Sequence, residues 1–202
     1  MSVAVITRLR IVGRWQPDAR GRLQRAALEL YAERGFEETT VADIAERAGV
    51  TERTFFRHFA DKREVLFDGS NELQRRVVAA VEAAPASLPP LAVIGAAMVS
   101  VGPMLDERRP YSQTRSRVIA SNASLQEREL LKMSALSVAV ADALRGRGVA
   151  EPAASLMADT GVTVFKVGFE RWVRDAEAPE LAACIQDALD ELRELTRGGA
   201  ER

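Results

Sequence analysis

Apolar side chains recur along most of the chain at steps of three and four residues, the spacing of a helix face that packs against a core. In the first such stretch Leu23, Ala27, Leu30 and Tyr31 share one face, and Gly35 follows. Glycine is common directly after a helix because it adopts a positive φ without strain. The pattern therefore predicts a first helix that stops at Gly35.

Two capping signals predict two short helices after this stop. Thr40 and Asp43 have the spacing of a capping box, in which the two residues cap each other's backbone N–H groups. Gly49 predicts a tight turn, and Thr51 can cap the next helix, which runs to Phe59.

A second capping-box spacing at Asp61 and Glu64 predicts a fourth helix over about 62–83. The first three helices are too short to bury much surface alone, so we expect them to share one small core with the start of the fourth. Its predicted members are Leu30, Phe36, Val41, Ile44, Val50, Phe55, Phe59 and Leu66.

The second half of the chain contains longer amphipathic stretches, which begin after a proline-rich segment at 85–90. They predict helices over 88–106 (bent near Gly102-Pro103), 110–121, 124–146 (capped by Ser124), 152–175 and 179–197. Strand-like alternation is weak and confined to residues 3–12. The sequence predicts an all-α protein of about nine helices in two parts.

Composition narrows the function classes. The 202 residues are 47% hydrophobic and 28% charged with a net charge of −1, which is typical of a folded globular chain and excludes disorder as the main state. One cysteine, Cys184, and one histidine, His58, exclude an intrachain disulfide and a multi-thiolate metal site. Glycine-rich phosphate loops and zinc-binding spacings are missing from the sequence, so we expect neither an enzyme nor a cofactor.

Targeting signals are also missing from the sequence pattern. The longest apolar stretch, 88–105, is interrupted by proline and glycine, and the apolar run at 3–6 is too short for a secretory signal. We therefore expect a cytoplasmic protein that does not enter a membrane.

Residues 40–59 have the anatomy of a helix-turn-helix. Ala45 is small enough to let the two helices approach, Gly49 supplies the turn and Val50 fills the space between them. The second helix begins at Thr51, so its first residues would meet base edges in a major groove. Spacing alone leaves two interpretations open, a DNA-binding unit or a compact helical corner.

A resemblance to a known family makes the first interpretation specific. The stretch GFEETTVADIAERAGVTERTFFRHFADKREVLF, residues 35–67, resembles the N-terminal signature of the tetracycline-repressor (TetR) family of bacterial regulators. The resemblance implies a homodimer that binds a palindromic operator in double-stranded DNA, acts as a repressor and is released by a small molecule. It implies an arm at 1–17, a DNA-binding domain at 18–67, an effector-binding and dimerisation domain at 68–197 and a tail at 198–202.

The same resemblance implies a set of DNA-binding residues. Thr40, His58 and Lys62 match positions that meet phosphate, and Thr51 and Thr54 match positions that meet bases or phosphates. Phe56 stands where the family usually has tyrosine, so it keeps the ring and loses a hydroxyl. The full predicted set is Thr40, Thr51, Arg53, Thr54, Phe56, Arg57, His58 and Lys62.

Arg53 is the strongest candidate for reading sequence, because a guanidinium can bind guanine O6 and N7 together. A phosphate contact, or an ion pair with Glu52 or another nearby acid, is the alternative. Arg8, Arg10 and Arg14 in the arm have two interpretations as well, a contact in the adjacent minor groove or a solvated tail.

The C-terminal half is similar to actinobacterial regulators associated with mycofactocin clusters, through segments 112–117, 125–128 and 169–172. That resemblance implies a lipid-like or acyl-thioester effector. Methionine and aromatic side chains suit an apolar pocket, although at helical spacing they also suit a core. The predicted pocket residues are Met98, Met104, Tyr111, Met133, Phe165, Phe169 and Trp172.

The last two helices carry the predicted dimer interface. Gly161 and Gly168 are seven residues apart and would let helix backbones approach closely, and Ile185, Leu189 and Leu192 lie on the apolar stripe of the last helix. Two helices from each subunit would then form a four-helix interface with two-fold symmetry.

Three functions therefore remain in order of preference. The first is a ligand-responsive, sequence-specific DNA-binding regulator. The second is a helical small-molecule-binding protein that no longer binds DNA, for which Phe56 is the one supporting feature. The third is an all-α enzyme, which the missing metal and nucleophile motifs disfavour.

Overall fold

The computed structural model describes residues 18–197, and all regular structure within that range is helical. Predictions that fall on the arm (1–17, including Arg8, Arg10 and Arg14) and on the tail (198–202) lie outside the described residues. The helices are α1 Ala19–Arg34, α2 Val41–Arg47, α3 Glu52–His58, α4 Glu64–Phe67, α5 Ser70–Ala83, α6 Pro90–Val99, α7 Gly102–Asp106, α8 Arg109–Ala120, α9 Ala123–Gly146, α10 Ala153–Arg174 and α11 Leu181–Arg197.

The local stop and start signals are confirmed. Gly35 follows α1 with a φ of 90°, and Gly49 forms the α2–α3 turn with a φ of 66°. Thr40 and Thr51 cap α2 and α3. The Asp61 carboxylate accepts the backbone N–H groups of residues 63 and 64 at 2.8 and 3.1 Å, so it caps the turn that leads into α4.

Two of the longer predicted helices differ in detail. The predicted helix over 62–83 is broken between Phe67 and Ser70, which separates α4 from α5. The predicted bend near Gly102 is a break between α6 and α7. If each broken pair is counted once, residues 18–197 contain the predicted nine helices.

The predicted cap of α9 was wrong by two residues. Asn122 rather than Ser124 is the N-cap, and its side-chain oxygen accepts the N–H of Leu125 at 3.1 Å. Asparagine and serine are both good caps, so the sequence alone did not distinguish the two positions.

The buried side chains form two hydrophobic clusters. One contains the predicted core of α1–α4 and is completed by Val118, Ile119 and Leu125 from α8 and α9. The other fills the space between α5, α6, α9, α10 and α11, with Trp172 fully buried in it. Since α8 and α9 contribute to the N-terminal cluster, they join the two halves of the molecule.

Among residues 18–197, no single helix is both long and apolar enough to cross a membrane. Only the stretches Pro90–Asp106 and Arg109–Ala120 taken together, with a bend of 102° between them, reach the necessary length and composition.

Candidate DNA-binding surface and effector pocket

Reciprocal caps fix the starts of α2 and α3. The Thr40 hydroxyl accepts the N–H of Asp43 at 3.1 Å, and the Asp43 carboxylate accepts the Thr40 N–H at 2.9 Å and its hydroxyl at 2.6 Å. The hydrogen bonds from the Thr40 side chain and backbone lower the pKa of Asp43. At α3, the Thr51 hydroxyl accepts the N–H of Thr54 at 3.2 Å. The other N–H groups at the two helix starts have no partner within the helix.

The recognition surface, as we name it, consists of the exposed residues Thr51, Arg53, Phe56 and Arg57 of α3 and its cap. Phe55 lies on the opposite face and is fully buried, which holds the helix against the core. Within residues 18–197, neither Arg53 nor Arg57 has a hydrogen-bond or ion-pair partner, so the ion pair between Arg53 and Glu52 considered above does not form. Two unpaired guanidiniums on one short helix suit a polyanion.

His58 is half-buried, and its predicted phosphate contact stays a prediction. It lies in the last turn of α3, and its Nε2 atom is buried without a hydrogen-bond partner among the described residues. That nitrogen therefore does not face the recognition surface. The family resemblance gave a position in the sequence but not the direction in which the ring points.

Lys62 is also turned inward. Its ammonium donates to the backbone carbonyls of Phe36, Glu37 and Thr39 at 2.8, 3.2 and 3.0 Å, and it lies 4.4 Å from the Phe36 ring centroid. Because a lysine has three N–H donors, all of them are occupied. The predicted phosphate contact is therefore not supported, and the side chain instead holds the loop between α1 and α2.

A cavity of about 190 Å³ lies at the junction of the two hydrophobic clusters. Five of the seven predicted pocket residues line it: Met104, Tyr111, Met133, Phe165 and Phe169. Its other lining residues include Leu66 and Gly69 at the α4–α5 break. The pocket thus borders the DNA-binding half as well as the C-terminal half.

The two remaining pocket predictions were wrong. Met98 and Trp172 are fully buried in the C-terminal cluster and do not line the cavity. Met98 packs close to Gly161, and Trp172 lies under the Arg109 guanidinium, 5.4 Å from the ring centroid. At these two positions the large apolar side chains are part of the hydrophobic core and not of the pocket wall.

The polar part of the pocket was not predicted as a unit. Arg115 and Glu129 form an ion pair at the cavity wall, with N–O distances of 2.7 and 3.3 Å. Arg108 stacks over Tyr111, 4.6 Å from its ring centroid, and has no acidic partner within residues 18–197. Burial raises the pKa of Tyr111, although the charges of Arg115 and Arg108 oppose this. Glu72 at the cavity wall pairs with Arg76 at 2.7 Å and with Arg75. The cavity is therefore mostly apolar, and Arg108 is the charged lining residue without an oppositely charged partner among residues 18–197.

Most of the predicted dimer interface is buried within one chain, which corrects that prediction. A Cβ atom on Gly161 would lie 2.1 Å from Ile94 Cγ2, and one on Gly168 would lie 2.8 Å from the Ile185 backbone. The glycines therefore allow α10 to pack on α6 and α11 of the same chain. Ile185 and Leu189 are also buried in the C-terminal cluster, and Leu192 is half-buried against it.

An exposed stripe remains on the other side of α10. Leu156 and Val167 are 11 residues apart, which is close to three helical turns, so they share a face with Thr160 and Thr163 between them. Leu195 near the end of α11 is a further large exposed apolar side chain. We call Leu156, Thr160, Thr163 and Val167 the α10 stripe.

Comparisons with known proteins match both halves. Residues 23–68 match the family model of bacterial regulatory proteins of the tetR family, and residues 88–197 match that of the MftR C-terminal domain.

Two relatives illustrate the match. The regulator TcmR of Streptomyces glaucescens is 44% identical over 82 residues, which are 41% of this chain and only 36% of TcmR's length. MftR of Mycobacterium tuberculosis, named as a regulator of mycofactocin biosynthesis, is 22% identical over 182 residues, 89% of this chain and 91% of MftR.

Solved structures agree with this fold. FadR of Thermus thermophilus, a TetR-family repressor in complex with lauroyl-CoA, is 26% identical, with 87% of this chain and 93% of that chain covered and a TM-score of 0.53. FadR of Bacillus subtilis in complex with stearoyl-CoA has the same fold at 18% identity and a TM-score of 0.57, with coverages of 84% and 95%.

Proposed function

The chain belongs to the TetR family of bacterial regulatory proteins, and from that premise we propose that it is a ligand-responsive transcriptional repressor. It binds a palindromic operator through the recognition surface of a DNA-binding domain at 18–67. It is released when a small apolar or amphipathic molecule enters the pocket of an effector domain at 68–197.

The observation that carries this proposal is that Arg53 and Arg57 on α3 have no hydrogen-bond or ion-pair partner within residues 18–197. Phosphate contacts fix a protein on DNA and base contacts specify the sequence. In this proposal the Thr40 and Thr51 caps present the helix starts to phosphates, and Arg53, near the start of α3, reads a base edge. Phe56 adds an exposed ring to the same surface.

The effector half of the proposal has support from the pocket and from one neighbour. The cavity is lined by methionine and phenylalanine and has the Arg108 charge at its edge, which suits a molecule with an apolar chain and an anionic group. The Thermus thermophilus structure contains lauroyl-CoA. We propose an acyl-thioester or a related amphiphile as the effector.

The dimer half of the proposal rests on the exposed α10 stripe. A single chain would expose Leu156 and Val167 to water, and a second copy related by two-fold symmetry would cover both. Two copies would also present two recognition surfaces to half-sites about one DNA turn apart.

The experiment is a titration of the DNA that flanks the protein's own gene, followed by fluorescence anisotropy with and without lauroyl-CoA. We expect tight binding that weakens as salt rises, and release when lauroyl-CoA is added. Arg57→Ala serves as a variant that lowers affinity, and Arg117→Ala on α8 is the matched control, since Arg117 is exposed and outside the recognition surface. A folded chain with no affinity for this DNA would favour the small-molecule-binding alternative.

A further inference from the structure

One arginine connects the pocket to the DNA-binding half. Arg115 on α8 donates through Nε to the Leu66 carbonyl at 2.8 Å and through its two terminal nitrogens to Glu129 on α9. Its guanidinium also lies 5.0 Å from the centroid of the Phe67 ring. Arg115, Glu129 and Leu66 all line the cavity, so a molecule in the pocket would lie beside each of these contacts.

The short helix α4 is the element that Arg115 holds. The Leu66 carbonyl lies in the last turn of α4, where carbonyls have no partner within the helix. Further along the chain, Asp68 accepts hydrogen bonds from Arg20 and Gln24 of α1 at 2.7 and 2.9 Å. The end of α4 is therefore tied to α1 on one side and to Arg115 on the other.

Two basic residues of α9, Arg128 and Lys132, hold the start of α4. The Glu64 carboxylate accepts from Arg128 at 2.5 Å and lies 3.7 Å from the Lys132 ammonium, both on α9. This hydrogen bond raises the pKa of Arg128. Arg128 and Lys132 do not line the cavity, whereas Arg115 does. A ligand in the cavity would therefore meet the Arg115 contact to α4 and not the contacts of Arg128 and Lys132.

The cavity is small and borders a break between two helices. At about 190 Å³ it is smaller than the roughly 300–1,000 Å³ of ordinary ligand pockets. A larger ligand either extends beyond the cavity or widens the junction between the two clusters. The α4–α5 break at Gly69 and Ser70 forms part of the wall, so it is a point at which the junction can open.

We propose that Arg115 is the positioning residue that transmits pocket occupancy to the DNA-binding half. This inference rests on the proposed function. An anionic group of the effector, attracted by Arg108 and Arg115 at the cavity wall, takes the Arg115 guanidinium away from Glu129 and the Leu66 carbonyl, so that Arg115 no longer holds α4. The DNA-binding helices, which are tied to α4 through Asp68 and Arg20, shift with it.

The energetics allow such an exchange. The Arg115 and Glu129 side chains are 16% and 30% exposed, so the pair is partly shielded from water and Glu129 can be rehydrated when it is displaced. A guanidinium binds a carboxylate or a phosphate in the same two-pronged geometry. The effector therefore replaces one anion with another at the Arg115 guanidinium.

The first test needs neither DNA nor effector. Hydrogen exchange of the amides at 64–70 is measured in the wild type, in Arg115→Gln and in the control Arg117→Gln on the same helix. We expect exchange about tenfold faster in Arg115→Gln at 64–70, with α10 and α11 unchanged, because a charge-assisted hydrogen bond to α4 is lost. Arg117→Gln should match the wild type.

The conservative variant Arg115→Lys keeps the test decisive if Arg115→Gln does not fold. Arg115→Lys keeps the charge but can hold only one of the two partners well, so its exchange at 64–70 should lie between those of the wild type and Arg115→Gln. Wild-type exchange in Arg115→Gln would overturn the proposal. If Arg115→Gln does not fold, wild-type exchange in Arg115→Lys overturns it.

The second test separates transmission from a merely structural role. The ratio of operator affinities without and with saturating lauroyl-CoA should fall about tenfold in Arg115→Gln, although calorimetry still detects lauroyl-CoA binding. A variant that binds lauroyl-CoA and still releases DNA like the wild type would refute transmission through Arg115. If the wild type does not bind lauroyl-CoA, both the proposed effector class and transmission by its anionic group are wrong, whereas operator binding by the wild type tests the repressor function separately.

Discussion

At the scale of single residues, Arg53 is the side chain that we expect to read the operator. It is exposed on α3 and unpaired within the described range. If it binds guanine through two hydrogen bonds, Arg53→Ala should cost about 1–3 kcal/mol on the operator and relax preference at one symmetric pair of positions. Arg53→Lys should recover only part of this, because an ammonium lacks the planar fork.

The Arg53 measurement compares operator and scrambled DNA at one fixed salt concentration, since non-specific binding changes steeply with salt. Base reading predicts a loss on the operator alone. Equal losses on the two sequences would mean that Arg53 contacts phosphate.

For Lys62 we expect a loss of stability rather than a loss of DNA affinity. Its ammonium holds three carbonyls of the α1–α2 loop, so Lys62→Met should leave these acceptors unsatisfied and lower the free energy of unfolding by about 1–3 kcal/mol. Urea denaturation measures this change. Lys166→Met is the control, because Lys166 is exposed on α10. A fully stable Lys62→Met variant with weakened DNA binding would restore the phosphate role.

At the scale of elements, the capping box makes α2 sensitive to one hydroxyl. Thr40→Ala should lower the free energy of unfolding by about 1 kcal/mol at neutral pH, because the N-cap hydrogen bond is lost. The pKa of Asp43 is lowered in the folded protein. The ionised Asp43 carboxylate therefore stabilises the folded state at pH values above the ordinary aspartate pKa, and this stabilisation is lost as the pH falls and the carboxylate is protonated. The difference between wild type and variant should therefore narrow in acid, and an unchanged difference would contradict this account.

The helices were predictable to the extent that their signals are local. Caps at Thr40 and Thr51 and stops at Gly35 and Gly49 depend on neighbours within four residues, and the structure has each of them. The break between α4 and α5 has one local signal, the Asp68-Gly69 pair that is typical of turns, and the predicted helix over 62–83 overlooked it. The contacts around the break come from α1, α8 and α9 and could not be predicted.

The sequence did not predict which helices pack against each other or which distant residues come into contact. The glycine spacing on α10 correctly indicated close helix approach, but the partners are α6 and α11 of the same chain rather than a second copy. Likewise Arg115 and Leu66 are 49 residues apart, and only the tertiary fold brings them together at the pocket.

At the scale of the whole molecule, the α10 stripe predicts where two copies meet. Val167→Glu should shift the protein towards monomer in analytical ultracentrifugation, because a buried unpaired carboxylate is costly. Val138→Glu on α9 is the matched control, since the two valines are 53% and 59% exposed. Dissociation of the Val138 variant alone would move the interface to α9.

The central claim is that two copies of this chain recognise a symmetric DNA sequence. The most direct measurement is selection of bound DNA from a pool of random duplexes by the wild-type protein, with Arg53→Ala in parallel. We predict enrichment of one inverted repeat with half-sites about one helical turn apart, and loss of preference at one symmetric pair of positions with the variant. A folded wild-type protein that enriches no sequence, or only an asymmetric one, would contradict the account.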